Sequence, residues 1–253
     1  MDHASYAAAS AAIRRQLLAY AETVWVNASL DDAGLARVID LMVPRVQAAQ
    51  LQVADLTAVY FAEVAGTPVA PLALDALSAR GVPPEVVYSR PVITARSALS
   101  KGQSVQKALD AGGRRLQNLA GTDVQMAKVR QSRESLRDAP DVKFYRRVLT
   151  GSENCAMCMI AATQRYRKAD LLPIHPGCDC DVDVIPSGMD LDLVIDPATL
   201  EATHQQVVAF GEVEDRGGRA PDYRKLIVTH EHGEVGPVLG WHGQKFTSKA
   251  DLN

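Results

Sequence analysis

Apolar side chains recur every three to four residues through the first part of the chain, and that spacing predicts helices. Ile13, Leu17, Tyr20, Ala21 and Val24 make one apolar stripe between residues 6 and 26, as an amphipathic helix requires. A second helix is predicted from Ser29, which can cap it with Asp32 three residues on. Leu35, Ile39, Met42 and Val46 share its apolar face. Pro44 is expected to kink or break it, because proline lacks the amide donor and its ring crowds the preceding turn. The period resumes through Leu51, Ala54 and Ala58 and stops at Gly66, Pro68 and Pro71. Together these stretches predict a long helical hairpin or arm.

The run GVPPEVVYSRP, residues 81–91, reads as extended or turning, since each proline disfavours helix in the residue before it. Helical spacing returns with Val105, Leu109, Gly112, Leu116 and Leu119. Gly121 is placed to end that helix, and Thr122 with Gln125 to cap the next, which Asp138 to Pro140 closes. From about residue 145 the character changes: cysteine, proline, glycine and acidic residues replace the alternation of apolar and basic groups. Segments 182–186 and 224–229 predict short strands, 197–209 a helix and 211–222 a mobile loop. The expected fold class is therefore α+β. A mainly helical docking or assembly region, residues 1–145, precedes a small α+β domain, residues 146–253.

Composition narrows the function. Of 253 residues, 47% are hydrophobic and 23% charged, as in ordinary globular proteins. Aromatic residues make up only 5%, and the alanine and valine that replace them favour closely packed helices over a large ligand pocket. No apolar run is long enough to cross a bilayer, and no basic stretch followed by an apolar one marks the N-terminus, so a cytosolic origin is expected. The net charge of −3 hides an asymmetry: residues 1–150 carry 18 Lys and Arg against 14 Asp and Glu, and residues 151–253 carry 9 against 16. Residues 90–147 alone hold 13 basic and 5 acidic side chains. That is enough for a basic helix face, either simply solvated or in contact with nucleic acid or an acidic partner.

The concentrated chemistry lies in the second part. All four cysteines fall within 26 positions, in the order Cys155, Cys158, His175, Cys178, Cys180: a CxxC, sixteen intervening residues, then HxxCxC. A CxxC turn lets two thiolates converge on one metal, and a proline- and glycine-rich loop supplies further soft ligands. Zinc takes four ligands in a tetrahedron, so five candidates leave one spare. Cys155 and Cys158 are the first pair, completed by Cys178 and Cys180 or by His175. Four protein ligands close a zinc site, which makes it structural, and a small acidic domain with few aromatics needs such a staple. Disulfides would need an oxidising compartment, and thioredoxin-type redox chemistry a neighbouring βαβ pattern. A zinc deaminase would need HxE upstream of PCxxC, yet Asn154 stands where that proline belongs. His230, Glu231, His232 and Glu234 form HEHGE, which lacks the HExxH spacing and is better explained as alternating strand residues. No Walker loop, dinucleotide fingerprint or GxSxG elbow is present.

As a block, RRVLTGSENCAMCMIAATQRYRKADLLPIHPGCDCDV, residues 146–182, resembles the signature of the phage Mu F-like minor head proteins, in the form carried by phages of actinobacteria. Cys155 and Cys158 match the upstream motif, and His175, Pro176, Cys178 and Cys180 match its proline-rich ending. Asp179 stands where that family more often has arginine. The tail HEHGEVGPVLGWHGQKFTSKADL, residues 230–252, is similar to the end of the actinophage members. The resemblance implies a minor component of the phage head that associates with portal, scaffold or major capsid protein, with phage DNA as a further contact. It implies assembly in the host cytoplasm, residence in the virion and no enzymatic role. Two other expectations stand beside it. One is a zinc-stabilised nucleic-acid-binding module using the basic stretch from Arg90 to Arg147. The other is a zinc-dependent nuclease using His175 or His230.

Overall fold

The Asp2 carboxylate accepts the backbone N–H of Ser5 at 2.7 Å and so starts helix α1, His3–Val26, at an orphan donor. In this computed structural model, residues 1–77, 80–150, 154, 156–170, 180–186, 188, 192–210, 227–232 and 236–241 are described. Leu17, Ala21 and Val24 of the predicted stripe are buried, with Ile13 and Tyr20 packed at its edge. Helix α2, Asp32–Val64, begins at a different cap from the one its sequence suggests. Asp31 is the capping residue, taking the Gly34 N–H at 2.7 Å and the Ser29 hydroxyl at 2.7 Å. Gly34 must be glycine here, because a Cβ would fall 2.0 Å from the Ser29 carbonyl oxygen.

Pro44 does not break α2. It sits inside the helix, and the buried neighbours Met42 and Val46 fix the flanking turns to the core. The short helix α3 is Leu74–Leu77. Helix α4, Pro84–Ser100, corrects the extended reading of residues 81–91. Pro83 keeps the extended backbone that a following proline demands, while Pro84 occupies the first turn, where a missing N–H costs nothing. Val87, Tyr88, Pro91, Val92, Ala95 and Ala98 then form one buried stripe, and that burial outweighs the lost hydrogen bond at Pro91.

Helix α5, Val105–Arg137, runs through Gly121 without stopping. Gly121 instead makes room for Arg14, whose Nη2 lies 3.2 Å from where a Cβ would be, and Thr122 and Gln125 are buried within the helix. The Trp25 indole donates to the Leu109 carbonyl at 2.9 Å, lying against Gly112 and Gly113.

By its contacts the chain divides into two compact units, residues 1–60 with 70–131 and residues 61–69 with 132–253. In the first unit, α1 and α2 share a single core with α4 and α5, so they are members of a bundle and not a free-standing hairpin or arm. Gln131 pins the segment before α3, accepting from Leu72 N at 2.7 Å.

The second unit contains a three-stranded antiparallel sheet in the order β2–β1–β3, built from β1 Phe144–Val148, β2 Arg165–Arg167 and β3 Asp181–Val184. Tyr145 pairs with Tyr166 on one side and Val184 on the other, and Arg147 pairs with Val182. Helix α6, Ala156–Ala162, precedes β2; helix α7, Pro197–Phe210, follows β3. Strands β4, Ile227–His232, and β5, Gly236–Trp241, form a separate antiparallel pair. The class is α+β, mostly helical. The strand expected at 182–186 and the helix at 197–209 correspond to β3 and α7. The strand expected at 224–229 overlaps β4, and the loop expected at 211–222 lies outside the described residues. No helix among the described residues is long and apolar enough to cross a membrane.

Candidate metal centre

Strand β1 reads FYRRV, and its period of two sends Tyr145 and Arg147 to the interior while Arg146 stays at the surface. Because β3 pairs alongside it, Cys180, the residue before β3, lies two positions from Val182, the partner of Arg147. Cys180 is 1% exposed, and Cys158 on α6 is 4% exposed. The two sulfurs belong to one buried cluster with Met157 and Ala161, with Leu149 and Tyr166 packed against it. Neither is in a disulfide. Helix α6 is held to the sheet by the Tyr166 hydroxyl, which donates to the Ala161 carbonyl at 2.9 Å, and the Tyr166 ring stacks on Tyr145 with centroids 5.3 Å apart.

The arginine is the unexpected member. Arg147 is 2% exposed, and its Nη1 donates to Cys180 Sγ at 3.6 Å. Burial opposes its charge, but Cys180 and the phenols of Tyr145 and Tyr166 more than offset that and hold the guanidinium above the ordinary arginine range. Burial likewise pushes the Tyr166 phenol well above the usual tyrosine range. On the opposite face of the sheet Arg146 meets Asp183, Nη2 to Oδ2 at 2.9 Å.

Of the five residues with metal-ligand spacing, Cys158 and Cys180 are thus brought together from separate elements. Cys155, His175 and Cys178 lie outside the described residues. Two buried cysteines in no disulfide are the donor type that a zinc-thiolate centre uses, while among the described residues no group of three or more metal ligands assembles. His230, Glu231 and His232 lie in β4, the strand setting their alternation suggested, while Glu234 is outside the described residues.

Sequence reasoning missed Tyr145, Arg147 and Tyr166. Composition groups Arg147 with the thirteen basic residues of 90–147, and only the burial pattern of β1 shows that it points inward. Part of the basic set is taken up within the protein or in surface ion pairs. Lys128 and Arg147 are buried, Arg96 bonds to Asp32 and to the Leu30 carbonyl, and Arg130 donates to the Leu77 carbonyl. Arg137 pairs with Glu134 and Asp138, and Arg146 with Asp183.

The helical unit has a cavity of about 20 Å³ beside Arg80, Asp123, Tyr88, Gln47 and Gln50, room for one water molecule. Within its lining, Arg80 and Tyr88 both bond to the Asp123 carboxylate.

Fold and site together define an α+β protein: a helical bundle with a buried polar network, and a sheet unit with a buried thiol pair. The chain belongs to the VG15 protein family, whose model matches residues 1–207. That is a family of phage proteins, and the match extends from α1 through the cysteine cluster into α7. No curated protein and no solved structure matches the chain.

Proposed function

We propose that this protein is a minor structural component of a tailed-phage head, associated with portal, scaffold or major capsid protein, whose second unit is stapled by zinc. Membership of a phage protein family over residues 1–207 is the observation that carries the reading. The resemblance of residues 146–182 to Mu F-like minor head proteins supports the more specific assignment to the head.

Zinc would be held by four of Cys155, Cys158, His175, Cys178 and Cys180, with Cys158 and Cys180 among them. Bound there, it joins α6 to the start of β3 and adds the stability that a three-stranded sheet of three- to five-residue strands lacks. The role is one of assembly and needs no chemistry on a substrate. A nucleic-acid-binding module is the second reading: of the thirteen basic side chains between residues 90 and 147, Lys128 and Arg147 are buried, whereas Arg137 and Arg146 stay exposed in surface ion pairs.

The test is mass spectrometry of purified virions and proheads from the phage that encodes this chain, with electron microscopy of lysates lacking it. The protein is expected in at least one of the two particles at low copy number, and its loss should leave heads unfinished or empty. Absence from both particles, with normal heads in the deletion, would overturn the proposal.

A further inference from the structure

A guanidinium buried to 2% exposure is costly to maintain, and arginine cannot shed its charge at any ordinary pH. The sulfur of Cys180 accepts a hydrogen bond from Arg147 Nη1, and the same cluster contains Cys158. A zinc ion with four thiolates carries a net charge of −2, and with three thiolates and one imidazole −1. An anionic centre in an apolar interior meets the same penalty from the opposite side. The two charges therefore make each other tolerable.

We propose that Arg147 is the positioning residue of a zinc-thiolate centre, donating to Cys180 Sγ and supplying the buried positive charge that the anionic cluster requires. This rests on the zinc reading above and adds the identity of the group that tunes the site. The strand register produces it: Arg147 pairs with Val182, and Cys180 follows on the same face two residues earlier. Arg146, one position along β1, faces away and pairs with Asp183, so it provides an internal control of equal charge. Lysine at position 147 would keep the charge and lose the planar fork of donors.

The experiment uses the full chain in four forms, the parent, Arg147→Met, Arg147→Lys and Arg146→Met. Zinc affinity is measured by competition with a chromophoric chelator. The sulfur-to-metal charge-transfer band is recorded after cobalt substitution, since it responds directly to hydrogen bonds at the thiolates. Arg147→Met is expected to weaken zinc binding by about 10- to 100-fold and to shift the band. Arg147→Lys should recover part of the affinity with the band still displaced, and Arg146→Met should match the parent in both. If Arg147→Met does not fold, the band and affinity of Arg147→Lys decide. A parent that binds zinc while the position-147 variants keep its affinity and band overturns the role of Arg147 alone. A parent that binds no zinc removes the staple and this inference with it.

Discussion

Asp123 on α5 and Arg80, in the segment before α4, form an ion pair inside the helical unit, Nε to Oδ1 at 2.6 Å, with the two side chains 9% and 6% exposed. Tyr88 on α4 donates to the other carboxylate oxygen at 2.6 Å. Burial first, and then the neighbouring Asp123, push the Tyr88 phenol well above its ordinary range, so the hydroxyl stays a donor throughout the accessible pH range. Asp123 is thereby held from two sides, and the network ties α5 to α4 and to the segment before it.

Breaking that network should cost more than deleting it whole. Asp123→Ala leaves the Arg80 charge buried and is expected to destabilise the helical unit by roughly 3–5 kcal/mol. Tyr88→Phe removes one hydrogen bond to a charged acceptor and should cost about 2 kcal/mol. The double variant Arg80→Met with Asp123→Leu should recover most of the loss. Urea unfolding of the three variants measures this; equal midpoints for Asp123→Ala and the parent would mean the pair is solvated.

Gly112 poses a contest between propensity and packing. Alanine in a helix interior is favoured over glycine by about 1 kcal/mol. A Cβ at this position, however, would sit 2.3 Å from the Trp25 ring and 2.8 Å from the Pro91 carbonyl oxygen, and backbone cannot step aside as a flexible side chain can. Overpacking of this kind costs about 1–3 kcal/mol, so Gly112→Ala should unfold at lower urea and alter the Trp25 emission. A more stable variant with unchanged fluorescence would show that α1 and α5 are further apart at this point.

The cap of α2 gives a pH dependence with a defined sign. The Gly34 N–H and then the Ser29 hydroxyl hold the Asp31 carboxyl below the ordinary value of 3.8. A carboxyl whose folded pKa is depressed adds stability above its unfolded pKa and loses it as pH falls through the folded one. Asp31→Ala should therefore be less stable than the parent at neutral pH, and the gap should close on acidification through the carboxylate range. Thermal melts across that range test it, and a gap independent of pH would mean that Asp31 is not the cap.

The helices with unbroken three- and four-residue spacing were legible in the sequence because α1 and the first half of α2 bury the residues that spacing selects, Leu17, Ala21, Met42 and Val46 among them. What misled were local signals that tertiary packing overrode. Pro91 and Gly121 would each end a helix in isolation, yet one lies in a buried stripe and the other leaves room for Arg14. Asp123 resisted prediction for another reason: no periodicity announces that Arg80, 43 positions away, will neutralise it. At the candidate site the spacing of cysteines and histidine was plain from the chain, and the structure brings Cys158 and Cys180 into one cluster. Arg147 went unseen because a strand of five residues offers too short a run for alternation to outweigh a basic composition.

Metal content tests the zinc staple most directly. The full chain, purified without added metal, should contain one zinc per molecule by elemental analysis, and Cys158→Ser and Cys180→Ser should each lose it. Chelator should then melt the sheet of the second unit at lower temperature while the helical signal of α1, α2, α4 and α5 persists. A parent protein that carries no zinc, cannot be loaded with it and melts identically with and without chelator would contradict the account.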